Sequence, residues 1–118
     1  MEIRQGDLFW LDLGEPEGSG PGYLHPHLVV QNDVFNESRL STTVVCALTS
    51  NVVRASSPGN VALERGEGGL PKRSVVNITQ VFTVDKSQLV KRIGKLSPLR
   101  TRQVLKGLAL LLEPRSPT

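Results

Sequence analysis

The chain is poorest in cysteine and in aromatic rings, and each shortage removes a class of function. Cys46 is the only cysteine, so no internal disulfide is available and no cysteine pair has zinc-ligand spacing. Its place in the run Thr43 to Leu48 marks it as a small buried hydrophobe. Aromatic residues make up 4% of the sequence, so stacking surfaces are few. Long apolar stretches are missing as well: Leu108 to Leu112 spans five residues, whereas roughly 20 are needed to cross a bilayer. The segment Met1 to Gln5 carries Glu2 and Arg4 around Ile3, not the apolar stretch of a secretory leader. A cytoplasmic protein without membrane contact is expected. There is no Gly-rich phosphate loop ending in Lys-Ser or Lys-Thr and no GxGxxG after a strand, so no cofactor is expected.

With 118 residues, 38% of them apolar and 21% charged, the sequence has ordinary globular composition and the length of one domain, residues 1–118, with 113–118 as a flexible tail. The net charge of +3 conceals a lopsided distribution. Residues 1–40 hold seven acids against two bases, whereas Lys72 to Arg115 holds ten bases against two acids, Asp85 and Glu113. A fold that gathers the second half onto one face presents a basic surface suited to a polyanion or an acidic protein segment. A solvated basic face with no partner fits the same distribution.

Asp7 to Leu13 alternates like a strand, with Phe9, Leu11 and Leu13 on one side and Leu8, Trp10 and Asp12 on the other. Trp10 is expected in the core. Gly14 to Tyr23 contains four glycines and two prolines and reads as a mobile loop. His27 to Gln31 is predicted as a strand, Asn32 to Leu40 as a polar connection with a helical turn, Thr42 to Leu48 as a β-branched strand, and Ser50 to Gly59 as a second polar loop. Shorter strands are predicted at Asn60 to Leu63, Ser74 to Ile78, Gln80 to Val84 and Lys91 to Leu96. One helix is clear: Ser97 caps it, Pro98 opens it where a missing amide costs nothing, and Pro114 closes it. Val104, Leu105, Leu108, Leu111 and Leu112 fall at helical spacing and are expected to pack on the sheet. Short strands followed by one terminal helix predict a mainly β fold, a strongly bent antiparallel sheet closed like an SH3 barrel.

His25 and His27 form a His-x-His pair on one strand face, a geometry some metal sites use, but no third ligand accompanies them and no metal is expected. More informative is a set of segments in fixed order: Gly6-Asp7-Leu8-Phe9-Trp10-Leu11-Asp12-Leu13, Leu28-Val29-Val30-Gln31-Asn32-Asp33, Leu48-Thr49-Ser50, Gly69-Leu70-Pro71-Lys72-Arg73-Ser74-Val75-Val76 and Thr83-Val84-Asp85-Lys86-Ser87-Gln88-Leu89. From about Arg4 to Leu112 the chain resembles the MazF/PemK family of toxin ribonucleases. The resemblance implies an SH3-like barrel of the CcdB/PemK/MazF type, a homodimer, metal-independent cleavage of single-stranded RNA at short sequences, and inhibition by a cognate MazE-like antitoxin. Such an antitoxin tail is expected to be acidic and disordered until bound.

For such a reaction the ribose 2′-hydroxyl attacks its neighbouring phosphate. It needs a base, an acid for the departing 5′ oxygen, and cationic or hydrogen-bonding support for the phosphorane. The resemblance assigns these roles to an arginine before the proline of the second strand and to the threonine of a Thr-Ser pair. Thr49, Ser50 and Pro26 match, but His25 stands where the arginine is expected. Imidazole titrates near neutrality and guanidinium does not, so His25 is read as general acid or base, Thr49 as the holder of the scissile phosphate, and Arg73 or Lys72 as the replacement positive charge. His25 is otherwise a structural or substrate-positioning residue in a weakened or inactive enzyme, and Thr49 and Ser50 otherwise bond the turn after their strand. Asn77 and Gln80 are candidates for reading base edges and Tyr23 for stacking on a base. Lys91, Arg92 and Lys95 read as a solvated edge that discourages strand pairing. The RNA groove is expected between the Gly14 to Tyr23 and Ser50 to Gly59 loops. Two rivals share the fold: a family member that binds RNA or antitoxin without cutting, and a CcdB-like gyrase poison. The end Glu113-Pro114-Arg115-Ser116-Pro117-Thr118 lacks the terminal aromatic that the second implies.

Overall fold

Alternating apolar side chains at Asp7–Asp12 form strand β1, and five further strands join it in one antiparallel sheet. These are β2 (Leu24–Val29), β3 (Thr42–Thr49), β4 (Val61–Leu63), β5 (Ser74–Asp85) and β6 (Leu89–Lys95), in the order β4-β5-β3-β2-β1-β6. The structure, a computed structural model, describes residues 2–12 and 24–115. The Gly14 to Tyr23 loop, with Leu13 and Tyr23, lies outside the described residues. A four-residue helix α1 (Asp33–Asn36) follows β2, its first turn capped by the Asn32 side chain. The terminal helix α2 spans Pro98–Leu111.

Three departures from the expected strands shape the sheet. β2 starts at Leu24 and takes in His25 and Pro26. The two strands predicted between Ser74 and Val84 are one strand whose register slips: Cys46 pairs with Val81 but Leu48 pairs with Val76, so Asn77 to Gln80 form a bulge against β3. β6 starts at Leu89 because Asp85 and Gln88 form a reciprocal capping box over Lys86–Gln88 and turn the chain tightly.

The ladder does not close into a barrel, since β4 and β6 are its two edges. The turn at Glu67–Gly69 fills part of the gap by packing on β6. That contact requires glycine, because a Cβ on Gly94 would stand 2.1 Å from the Gly68 carbonyl oxygen. Asp7, 1% exposed, ties β6 to the N-terminal segment: it pairs with Arg92 at 2.8 Å and accepts the Arg4 backbone N–H at 2.8 Å. Lys91 and Lys95 are exposed on this edge strand.

The sheet buries an apolar cluster on each face. Leu8, Leu28, Cys46, Leu48, Val76 and Ile78 join Val104 of α2 in one, and Phe9, Leu11, Val29, Val45, Val84 and Leu89 form the other. Each fully buried side chain of this size contributes about 1.5–3 kcal/mol. Burial pushes the Cys46 thiol up to about 12, which keeps it protonated and unreactive. Helix α2 begins as expected, with Ser97 Oγ accepting the Arg100 N–H at 3.1 Å. Its predicted packing face is only partly used: Val104 is buried and Leu105 and Leu108 pack on the core, but Leu111 is 39% and Leu112 76% exposed. The last turn stands beside β4 over an open groove, where helical spacing has no core to meet.

Candidate active-site cleft

Antiparallel pairing brings the start of β2 to the end of β3. The ladder between them runs from Val29↔Val45 to His27↔Ala47 and stops. Continued by two residues, that register sets His25 across from Thr49, and where pairing fails a cleft of about 600 Å³ opens. His25, Thr49, Ser50, Lys72 and Gln80, five residues singled out from the sequence, all line it. Pro26 and Trp10, which face each other across the β1–β2 ladder, form part of its wall. Trp10 therefore departs from the expectation of a core residue: it is half-buried, because the face it shares with Leu8 opens into the cleft at this end of β1.

The other predicted residues fall elsewhere. Arg73 lies in an adjoining depression of about 540 Å³, 3.5 Å from Glu64, and that depression shares Ser50, Pro71 and Lys72 with the cleft. Asn77 lies in a second neighbouring hollow of about 430 Å³ with Arg54 and Thr79, connected to the cleft through Gln80. The Asn77 side-chain oxygen accepts from Asn60 and Thr79 at 3.3 Å each, so its acceptor is engaged within the protein. Asn60 also accepts the Ile78 N–H at 3.0 Å, which pins the β5 bulge. Residue type alone did not single out Arg54 or Thr79, which line the hollow next to the cleft; Thr79 is there because the register slip in β5 bulges it out. Tyr23 lies outside the described residues. A larger groove of about 920 Å³, between α2 and β4, contains none of the predicted site residues.

Two environments in the cleft bear on chemistry. Burial, aided by the Lys72 ammonium, holds the half-buried His25 imidazole below its ordinary value of 6.5, so it is neutral at pH 7 and able to take up a proton. Thr49 Oγ1 accepts the Asn51 N–H at 3.1 Å, the turn-bonding role that strand-end hydroxyls often take. Its hydroxyl hydrogen is still available for donation. Ser50 and Lys72 are exposed at the rim.

His27, the second member of the His-x-His pair, does not extend this polar surface. It is 1% exposed, its ring meets Phe82 edge-on at 5.5 Å, and its Nδ1 lies 2.9 Å from the His25 carbonyl oxygen. Among the described residues no group of three or more His, Cys, Asp or Glu side chains is placed to hold a metal ion. No helix among them is long and apolar enough to cross a membrane.

Comparison with known proteins gives the family. The family model described as PemK-like, MazF-like toxin of type II toxin-antitoxin system matches residues 4–112. The chain is 40% identical over 113 residues to Endoribonuclease MazF6 of Mycobacterium tuberculosis, covering 96% of this chain and 99% of that one. To Endoribonuclease MazF of Staphylococcus saprophyticus it is 32% identical over 102 residues, covering 86% and 84%. A mycobacterial endoribonuclease solved with its cognate antitoxin superimposes with a TM-score of 0.76 at 25% identity, over 98% of this chain and 99% of that one. The Deinococcus radiodurans MazE-MazF complex shares the fold, with a TM-score of 0.77 at 22% identity over 98% and 99% of the two chains. On the family match and the identity to these relatives, the chain belongs to the PemK-like, MazF-like toxins of type II toxin-antitoxin systems.

Proposed function

We propose that this protein is the endoribonuclease toxin of its toxin-antitoxin pair and cuts single-stranded RNA at short sequences without a metal ion, in the cleft between β2 and β3. The convergence of His25, Thr49 and Lys72 on that one cleft carries the reading. The neutral His25 imidazole takes the proton of the ribose 2′-hydroxyl as its oxygen attacks phosphorus, and the protonated ring then delivers a proton to the 5′ oxygen as the P–O5′ bond breaks. The products are a 2′,3′-cyclic phosphate and a 5′-hydroxyl. Thr49 donates its hydroxyl hydrogen to a non-bridging phosphate oxygen, and Lys72 supplies the fixed positive charge that an arginine at position 25 would otherwise contribute. Ser50 and Gln80 contact RNA in the cleft, Arg73 and Asn77 contact it beside the cleft, and Tyr23, outside the described residues, stacks on a base.

A single domain over 1–118 with a flexible tail at 113–118, a homodimer, a cytoplasmic location and inhibition by a MazE-like antitoxin belong to the same proposal. The family match and the antitoxin-bound state of a structural relative support them. The test is incubation of the purified protein with a long single-stranded RNA in EDTA, beside His25→Ala and Thr49→Ala, with the cut ends mapped. Discrete cuts that each substitution reduces about a hundredfold or more support the reading. Binding without cutting by the wild type refutes it and favours the member that has lost catalysis.

A further inference from the structure

His27 is a polar side chain in a place where an apolar one would pack as well. A carbonyl only accepts, so the 2.9 Å contact with the His25 carbonyl requires the hydrogen of His27 to be on Nδ1. Burial holds the ring below its ordinary pKa and therefore neutral, so Nε2 carries a lone pair and no hydrogen. That nitrogen is buried and has no hydrogen-bond partner among the described residues. Buried acceptors left unmatched lower stability, and one that persists calls for a compensating role.

The backbone indicates the role. The peptide between His25 and Pro26 has no N–H, so its carbonyl is the one group through which it can be anchored. This peptide lies just beyond the last β2–β3 pair, His27↔Ala47, and is held from its other side by the β1 pairs Trp10↔Pro26 and Leu11↔His25. The His27 ring supplies the donor from two residues along, and Phe82, meeting it at an interplanar angle of 88°, holds the ring in that orientation. The ring thus adds to the β1 ladder a second restraint on the carbonyl, and so on the backbone torsion that sets where the His25 side chain projects.

We propose that His27 is a positioning residue for RNA cleavage: its Nδ1–H clamps the His25 carbonyl and holds the His25 imidazole in the cleft facing Thr49. The proposal rests on the reading of His25 as the acid-base group. Its unmatched Nε2 is the cost in stability of keeping a donor there, so stability and turnover respond in opposite directions when the ring is removed.

The test compares His27→Leu with His27→Asn, whose amide presents an N–H near the Nδ1 position. In His27→Leu, kcat for a single-site RNA substrate falls roughly tenfold or more while KM changes less than about twofold. Its melting temperature holds or rises, and His27→Asn recovers most of kcat. Equal kcat in wild type and His27→Leu overturns the proposal, as does equal loss in both variants. A readout independent of cleavage is the NMR titration of His25. It is held below 6.5 by its cleft environment and by Lys72, so its midpoint rises toward the ordinary value in His27→Leu and remains low in His27→Asn. If the wild type does not cut RNA, the acid-base reading fails by itself, and an unchanged His25 midpoint in His27→Leu would then overturn the clamp separately.

Discussion

Gly107 sets two rules against each other, and the geometry decides between them. In the interior of a helix, replacing glycine by alanine ordinarily stabilises by about 1 kcal/mol, because alanine loses less backbone freedom on folding. At position 107, however, the added Cβ would stand 2.2 Å from the Gly59 carbonyl oxygen, 3.1 Å from its carbon and 3.3 Å from its Cα. An ordinary carbon–oxygen contact is about 3.3 Å, so the helix and the Gly59 turn must separate by about 1 Å. All three contacts are backbone atoms, and no rotamer change relieves them. Such a displacement loosens Val104, Leu105 and Leu108 against the core, and a gap of this size forfeits roughly a quarter to a half of their dispersion attraction. With overpacking strain of about 1–3 kcal/mol added, the total cost is about 2–4 kcal/mol. The propensity gain offsets about 1 kcal/mol of this, leaving Gly107→Ala destabilised by about 1–3 kcal/mol. For a chain of this length the melting temperature falls by roughly 5–10 °C. Circular-dichroism melts and urea midpoints of wild type and Gly107→Ala, with the exposed Gln103→Ala as a neutral control, measure it. A Gly107→Ala protein that melts at or above the wild type refutes the packing argument.

Three further outcomes are expected. Because the folded-state pKa values of both His27 and His25 are lowered, the unfolded chain takes up protons first as pH falls. Above the unfolded value near 6.5 both states are neutral and no protonation penalty acts; as pH drops through that value toward the lower folded one, the unfolding free energy falls. His27→Leu flattens that slope in urea unfolding, and an unchanged slope contradicts the assignment. Asp7→Ala strips Arg92 and the Arg4 amide of their acceptor. With Arg92 42% solvent-exposed, the loss is about 1–3 kcal/mol in denaturant unfolding. A loss below about 0.5 kcal/mol counts against Asp7 as a tie between β6 and the N-terminus. Arg100 grips Glu67 through two parallel bonds of 2.9 and 3.0 Å. A double-mutant cycle is expected to give about 1 kcal/mol of coupling between them, reduced by salt, and a zero coupling refutes a role for the pair in seating α2 on the turn that covers the sheet gap.

Much of the architecture was legible because it depends on local chemistry. Period-two alternation placed β1, β-branched residues placed β3, the Ser97-Pro98 pair placed the start of α2, and the surroundings of Cys46 marked it as buried. The grouping of His25, Thr49, Ser50, Lys72 and Gln80 was anticipated through family resemblance; the residues alone left Thr49 and Ser50 as ordinary turn hydroxyls. Trp10 and Leu112 were misjudged for one reason. Spacing says which face of an element a side chain takes, while other segments determine whether that face is covered. At Trp10 the covering strands diverge into the cleft, and at Leu112 the helix has passed beyond the core.

The sequence by itself determined the type of most elements, the cap of α2 and the lack of an internal disulfide. Those properties follow from residue identity and near neighbours. Only the tertiary structure decided the bulge at Asn77 to Gln80, the meeting of Gly68 with Gly94 across the open sheet, the end of the β2–β3 ladder that opens the cleft, and the tautomer of His27. Each depends on contacts between segments distant in the chain, whose register and separation are set by the packing of the whole sheet.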